Sequence, residues 1–507
     1  MIRSGRDLTA DLTLDCDVVV VGTGAGGGMV LADAARAGLR VIAVEEGAYH
    51  SSRDFSQRER PMLAALFHDG GGRTTEDGLI TVLQGRGVGG STVHNTNLCQ
   101  RAPSPILEHW AATFGLDEWR PEALAEDYAA VEARLHVAAI EPAQVNRNND
   151  VLRRGLSALA WRGGLLAHNR RGCVGSGFCE LGCAFDAKEN VLKVLVPEAL
   201  AAGATIFAEV RAERVRLDGG RAAAVHGRAL VDGRFGARLE IRARAVVLAG
   251  SATGSAALAL RSELPDRHRL VGRGLHLHPG AAVAGVFDEA IDGFRGIPQS
   301  VECTELIDWQ PGSENRIWII PAFAHPIGAA VMLPGFGAAH MARLRQYRHL
   351  AVLTAMLHDE SAGRVAVHRD GRPKITYALD EGDGRALRRG LAACARLLLA
   401  AGAREVISPL STVGTIRREA DLEAILRHPL RLADPPLTAV HPMSTLPMAR
   451  DPRQGVVDGS GRWHGVPGLY VADGSVFPTS LGGPPQISIY TVGRRVARAI
   501  TADLRRG

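Results

Sequence analysis

DVVVVGTGAGGG, Asp17 to Gly28, decides how the rest of the chain is read. Four successive valines, Val18 to Val21, make an apolar run of the kind buried in a parallel sheet, and the chain then turns through Gly22, Gly24 and Gly27. Those glycines fall in a G-x-G-x-x-G pattern directly after a strand. The first permits the tight turn, the second lets the backbone approach a pyrophosphate, and the third lets the following helix pack closely on the strand. The pattern predicts a helix over Met29 to Ala37, stopped at Gly38, with its N-terminus facing the phosphates. A second strand, Arg40 to Val44, then delivers Glu45 as acceptor for the hydroxyls of an adenosine ribose, and an acid there argues against a 2′-phosphate. Strand, glycines, helix, strand and acid, in that order, read as a dinucleotide-binding unit.

Composition sets mild bounds. The 507 residues, 46% hydrophobic and 22% charged, suffice for about two or three domains with a large core. The net charge of +5 is carried almost wholly by arginine and is spread along the chain, without a basic run interleaved with aromatics, which argues against nucleic-acid binding. No N-terminal segment has the pattern of a secretion signal and no stretch offers ~18 uninterrupted apolar residues, so a cytoplasmic protein is expected.

The organisation along the chain is discontinuous. After a polar stretch, Tyr49 to Gly78, comes a second glycine-rich segment at Leu83 to Pro103, then a mixed helical region, Ile106 to Leu156. Val191 to Ala202 reads as helix, and Thr205 to Phe207, Ala212 to Leu217 and Leu239 to Val247 as strands. From Phe294 to Pro435 the pattern changes to short strands, such as Arg364 to His368 and Lys374 to Ala378 joined by an Asp370-Gly371 turn. The expected architecture is α/β: a nucleotide domain from 1–293 and 436–507, with a second, α+β domain at 294–435 inserted between its pieces.

Three further segments make the reading specific: GRGVGGSTVHN at Gly85 to Asn95, HPMSTLPMA at His441 to Ala449, and LYVADGSVFPTSLGG at Leu469 to Gly483. With the N-terminal fingerprint, and in the same order over nearly the whole chain, they resemble the glucose-methanol-choline (GMC) oxidoreductases. The resemblance implies FAD, a Rossmann-type FAD-binding domain assembled from separated segments, and a substrate domain with an antiparallel sheet above the isoalloxazine ring. It also implies oxidation of a primary or secondary hydroxyl of a small or hydrophobic alcohol, by hydride transfer to flavin N5, with oxygen or a quinone-like acceptor reoxidising the flavin. Carried over residue by residue, Gly22, Gly24, Gly27 and Glu45 hold the ADP half and the Ala212 backbone meets the adenine. Asp473 and Gly474 lie by the pyrophosphate and ribityl chain, and Gly89, Gly90, Ser91 and Asn95 line the flavin. His94 occupies the place where some choline-oxidising relatives carry a histidine bonded to the flavin 8α-methyl carbon; covalent attachment and simple packing against the dimethylbenzene edge both stand.

Alcohol oxidation needs a group to take or hold the hydroxyl proton, and His441 matches, since HPMSTLPM resembles the family's H-x-x-G-T-x-x-M with Ser444 in place of its glycine. His276 and His278 in GLHLHPG read as histidines that satisfy core hydrogen bonds. At Pro484 the family has Asn or His as a second polar group, and proline offers neither donor nor base; Gln486 is the nearest substitute. A flavin-binding protein with altered or lost alcohol chemistry is therefore a competing reading. Cys173, Cys179 and Cys183, in GCVGSGFCELGCAFDAK, resemble a cysteine turn of the branch that includes fatty-alcohol oxidases and iron-sulfur dehydrogenase flavoprotein subunits. The turn is structural, or holds an iron-sulfur cluster that passes electrons to a partner, or binds zinc with His168 as fourth ligand. Finally, the apolar AAVMLPGFGAAHM, Ala329 to Met341, followed by Arg343, Arg345 and Arg348, reads as a packed loop and helix, a cap over a hydrophobic pocket, or a peripheral membrane contact.

Overall fold

The valine run lies in a strand, Leu12–Val21, whose last four residues are buried. Buried on both faces, it pairs in parallel with Val41–Val44 on one side and with Arg234–Leu248 on the other. Thr205–Ala208 and Ile2–Ser4 extend the parallel sheet outward beyond Val41–Val44, and Leu469–Val471 joins the far edge of Arg234–Leu248. The first half of that long strand pairs antiparallel on its other edge with Arg221–Val231, which pairs in turn with Val210–Asp218, while Leu239 to Arg242 stay in parallel register with Leu12 to Asp15. Arg221–Val231 is a strand that the apolar pattern did not predict, because alanines and Gly227 dilute it. Its signal was the pair of turns around it, Gly219-Gly220 and Asp232-Gly233, all four residues at positive φ.

The computed structural model describes residues 1–322, 324–430 and 434–506; residues 323 and 431–433 of the predicted insertion, and 507, lie outside the described residues. The helix after the glycine turn runs Ala25–Arg36 rather than Met29 to Ala37, so three glycines sit inside its first turns. Crowding explains them. A Cβ on Gly26 would stand 1.8 Å from the Ala472 carbonyl oxygen, one on Gly27 2.0 Å from the Gly22 carbonyl oxygen, and one on Gly28 2.5 Å from Val191 Cγ1. Close packing overrides the roughly 1 kcal/mol per residue by which glycine is disfavoured in a helix. The C-terminal helix, Gln486–Arg506, crosses this one at Gly493, whose Cβ would lie 2.5 Å from the Gly26 carbonyl oxygen. Both ends of the chain therefore build one unit.

The second layer is an antiparallel sheet centred on Gly280–Val286 and Leu350–Leu357. Ile317–Pro321, Val301–Cys303 and Gly163–Leu165 follow on one side, Glu405–Ile407 and Thr415–Ile416 on the other, and Leu437–Ala439 links Gly280 to Ile80–Val82. Strands from before residue 294 thus share this sheet. Helix Glu381–Ala400 backs it; Asp380 caps the helix by accepting a 2.7 Å bond from the Asp383 amide. The predicted hairpin is observed as Gly363–Val367 and Pro373–Thr376, with Gly371 at φ +80° and Arg273–Leu275 as a third strand.

Candidate active site

Between the glycine turn and the antiparallel sheet lies a cavity of about 820 Å³. Gly22, Gly24, Glu45, Gly90, Ser91, His94, Asn95, Ala212, Asp473, Gly474, His441 and Gln486 line it, together with Pro484 and the apolar side chains of Trp318, Ile320 and Met356 from the sheet. Gly27 and Gly89 stand outside this lining. Gly27 serves helix packing, and Gly89, at φ +97°, has Val93 Cγ2 where its Cβ would be, 2.8 Å away, and donates to Thr23 Oγ1 at 3.3 Å.

Gly24 differs from its neighbours: among the described residues beyond the adjoining chain, no heavy atom lies within 4 Å of the Cβ it lacks. Its bare side faces the cavity, so packing does not account for a glycine there. Glu45 is buried and accepts four bonds, from Thr23 N at 3.1 Å, Thr23 Oγ1 at 2.9 Å, Gly47 N at 3.0 Å and Gly87 N at 3.2 Å. Any ribose hydroxyl must share this carboxylate with the loop. Burial pushes its pKa up while those donors oppose the shift. Asp473, also pushed up by burial, accepts from Ser255 Oγ at 2.5 Å and Ser475 N at 2.9 Å. The Ala212 carbonyl accepts from Arg261 Nη2 at 3.1 Å.

His94 packs its ring on Phe67 with centroids 3.9 Å apart, and among the described residues its buried Nε2 has no hydrogen-bond partner. Burial, with Lys188 adding to it, holds its pKa at about 3, so the imidazole is neutral. Lys188 itself is buried and donates to the carbonyls of Val93 at 2.9 Å, of Asn95, and of Cys179 at 2.8 Å, which ties this loop to the cysteine turn. Asn95 donates to Gln486 Oε1 at 2.9 Å, and Gln486 Nε2 donates to the Leu98 carbonyl, so the Gln486 carboxamide faces the cavity with both ends engaged.

The cysteine turn corrects the metal expectation. Cys173 Sγ accepts from Arg170 Nη1 at 3.6 Å and Gly175 N at 3.4 Å, Cys183 Sγ accepts from Ala187 N at 3.3 Å, and burial pushes the Cys179 thiol up, away from the thiolate a metal needs. His168, the fourth-ligand candidate, turns Nε2 to the Gln299 carbonyl at 2.9 Å and Nδ1 to Arg170. Among the described residues no group of three or more His, Cys, Asp or Glu is arranged to hold a metal ion, and neither the iron-sulfur cluster nor zinc is supported. What the turn does contribute is Glu180, which lines the cavity and is pushed up to about 7 by burial.

His441 lies in a segment held by a backbone bridge, in which His276 N donates to Met443 O at 3.2 Å and Met443 N to His276 O at 2.9 Å. The bridge brings GLHLHPG against HPMSTLPM. Consequently His278, read from sequence as a core histidine, meets His441 edge to face with ring centroids 5.4 Å apart and the two Nδ1 atoms 3.3 Å apart. Burial lowers the His441 pKa to about 4, against the opposing charge of Asp359. Asp359 was missed altogether. It is buried and accepts from Leu277 N at 2.9 Å, Tyr377 Oη at 2.7 Å and Ser480 Oγ at 2.8 Å; against the cost of burial, His276 at 3.6 Å, then His278 and the Tyr377 hydroxyl, hold it below the usual carboxylate range. Only the histidines of GLHLHPG pointed toward this cluster, since a lone acid in HDES carries no pattern.

The comparisons with known proteins fit this frame. Two GMC oxidoreductase profiles match, the N-terminal one over residues 63–280 and the C-terminal one over 359–493. An uncharacterised GMC-type oxidoreductase of Mycobacterium tuberculosis is 35% identical over 513 residues, 99% of this chain and 79% of its own length. A long-chain-alcohol oxidase of Arabidopsis thaliana is 28% identical over 536 residues, covering 98% of this chain and 69% of its own. The fold of an Aspergillus oryzae formate oxidase, studied for its FAD modification, superposes with TM-score 0.74 at 16% identity, over 98% of this chain and 100% of that one. The two profiles take in the second glycine loop and the histidine segment, and this chain belongs to the GMC oxidoreductases.

Proposed function

We propose that the protein is an FAD-dependent oxidoreductase acting on the hydroxyl of a hydrophobic alcohol, with His441 as the base. The observation that carries this is one cavity lined both by the open side of Gly24 and by His441. The residues fit the cofactor: Gly24 leaves room for a pyrophosphate beside the N-terminus of Ala25–Arg36, and Asp473, Gly474, Gly90, Ser91 and Asn95 line the same cavity. When bound, FAD supplies the hydride acceptor. In this reading the parallel sheet and both chain ends hold the cofactor, and the antiparallel sheet forms the substrate side.

At neutral pH His441 is an uncharged imidazole with a lone pair to offer, because burial keeps its pKa near 4. So weak a base takes the hydroxyl proton as the carbinol hydrogen leaves, not beforehand. Pro484 contributes shape only, and Gln486 orients Asn95 instead of the substrate. The apolar sheet side chains, and the lip formed by Pro326–Met332 and the adjoining Leu333, with Ile327, Val331 and Leu333 lining the cavity, favour a hydrophobic substrate over a sugar. His94 is suited to covalent attachment, its buried Nε2 being neutral and unpartnered. Acid precipitation checks this: the yellow colour should stay with wild type and leave His94→Ala, and its complete release from wild type would remove the idea.

The deciding experiment is stopped-flow bleaching of the bound flavin by 1-dodecanol, 1-octanol, benzyl alcohol and glucose. The long-chain alcohols should reduce it fastest, and His441→Ala should bind FAD yet be reduced at least ~10²-fold more slowly. If every alcohol leaves wild type yellow, the altered chemistry suggested by Pro484 replaces this reading; if His441→Ala reacts as fast as wild type, His441 is not the base.

A further inference from the structure

Behind His441 the fold has built a buried chain of polar groups that alcohol binding does not require. It starts at Asp359, two residues past strand Leu350–Leu357, where Asp359 Oδ1 accepts from Ser480 Oγ at 2.8 Å. Ser480 Oγ lies 2.8 Å from His278 Nε2, and His278 Nδ1 lies 3.3 Å from His441 Nδ1. Asp359 also grips the backbone that carries the middle ring, accepting from Leu277 N at 2.9 Å and His278 N at 3.4 Å. His278 has φ +51°, in the left-handed region that a non-glycine residue enters at a cost of order 1–2 kcal/mol. Such strain persists where the surroundings over-determine it, and it collects at functional sites. Here the strained backbone aims the His278 ring at His441 with one nitrogen and at Ser480 with the other.

We propose, resting on the reading of His441 as the base, that Asp359, Ser480 and His278 form a positioning relay that fixes the tautomer of His441 with its bare Nε2 toward the substrate. The direction of the chain follows from its charged end. The Ser480 hydroxyl gives its proton to a carboxylate and keeps a lone pair for His278 Nε2–H. That leaves His278 Nδ1 bare to accept from His441 Nδ1–H, and His441 Nε2 without a proton. The Gly482 amide, 2.9 Å from His278 Nε2, favours the opposite arrangement, in which His441 would present an N–H. Hydrogen bonds to an ionised group are roughly twice as strong as neutral ones and polarise the bonds beyond them, so the carboxylate-led direction wins. When the substrate O–H bond breaks and the new bond forms at His441 Nε2, the positive charge on the ring is met through the relay by Asp359; no proton passes along it. The groups facing these rings are His276, His358 and Asp359; burial keeps His358 neutral at neutral pH, and Asp359 is the charged end of the relay. His278, Ser480 and Asp359 are positioning residues, since none of them lines the cavity.

The test is nitrogen NMR of the holoenzyme labelled at histidine, with the His441 signal identified by its loss in His441→Gln. Wild type should show His441 protonated at Nδ1. Ser480→Ala should lose that preference and titrate His441 at lower pH, and Ser480→Thr, which keeps the hydroxyl, should restore both. Flavin reduction by 1-dodecanol should fall at least about tenfold in Ser480→Ala, with the alcohol concentration for half-maximal rate changed less than about twofold. Asp359→Asn should exaggerate each effect; where it fails to fold, the Ser480 pair decides. A wild-type His441 protonated at Nε2, or a tautomer and titration unchanged in Ser480→Ala, overturns the relay. If instead His441→Gln is reduced as fast as wild type, the assignment of the base has failed, whatever the NMR shows.

Discussion

Ser444 shows what a single substitution in a family motif costs. The motif it resembles has glycine at this position, the φ of Ser444 is +74°, and among the described residues its buried Oγ has no hydrogen-bond partner. A left-handed backbone at a non-glycine residue costs about 1–2 kcal/mol, and a buried unpaired hydroxyl about 1–3 kcal/mol more, while glycine returns roughly 0.5–1 kcal/mol of that through the entropy of the unfolded chain. Ser444→Gly should therefore stabilise the protein by about 1 kcal/mol or more, seen as a higher Tm in thermal melts; a lower Tm would mean that Oγ has a ligand to bind. At this scale His441 was legible because a histidine in a fixed spacing can be matched by eye. Asp359 and Ser480 were not, since they lie 82 and 39 residues from His441 along the chain and act only once Leu350–Leu357 and the segment after Gly474–Val476 are folded against it.

Among the elements, the cysteine turn changes meaning most between sequence and structure. Its thiols accept backbone and arginine hydrogens, while Glu180, between them, faces the cavity with a pKa of about 7 against an ordinary 4.5. The unfolded chain loses this proton near its ordinary value and the folded chain only near 7, so between those limits the unfolded state binds fewer protons and stability falls as pH rises. Glu180→Gln, which mimics the protonated acid, should melt higher than wild type at about pH 8 and equally at about pH 4. An equal difference at both would show that lost packing, and not charge, is being measured. The valine strand and the hairpin at Gly371 were readable because apolar runs and turn residues are local signals. The start of Ala25–Arg36 was not: nothing near Gly26 in sequence announces the Ala472 carbonyl that forbids it a side chain.

For the whole molecule, family order allowed the α/β architecture and the two sheets to be anticipated, whereas the sharing of the antiparallel sheet by Ile80–Val82, Gly163–Leu165 and Gly280–Val286 was invisible, because short strands joined over long separations leave no periodic trace. The same long separations govern how the protein is made. Glycines 26 and 28 touch residues 472 and 191, and Gly493 closes on Gly26 from the C-terminal helix. The ribosome emits Gly26 446 residues before Ala472 and 467 residues before Gly493. At ≈ 5–20 residues per second, the valine strand waits for tens of seconds before its surroundings are whole. The nascent chain thus carries an apolar β-prone segment through the synthesis of everything in between with its nucleotide pocket incomplete, and loading of that pocket waits until the helix that carries Gly493 has emerged.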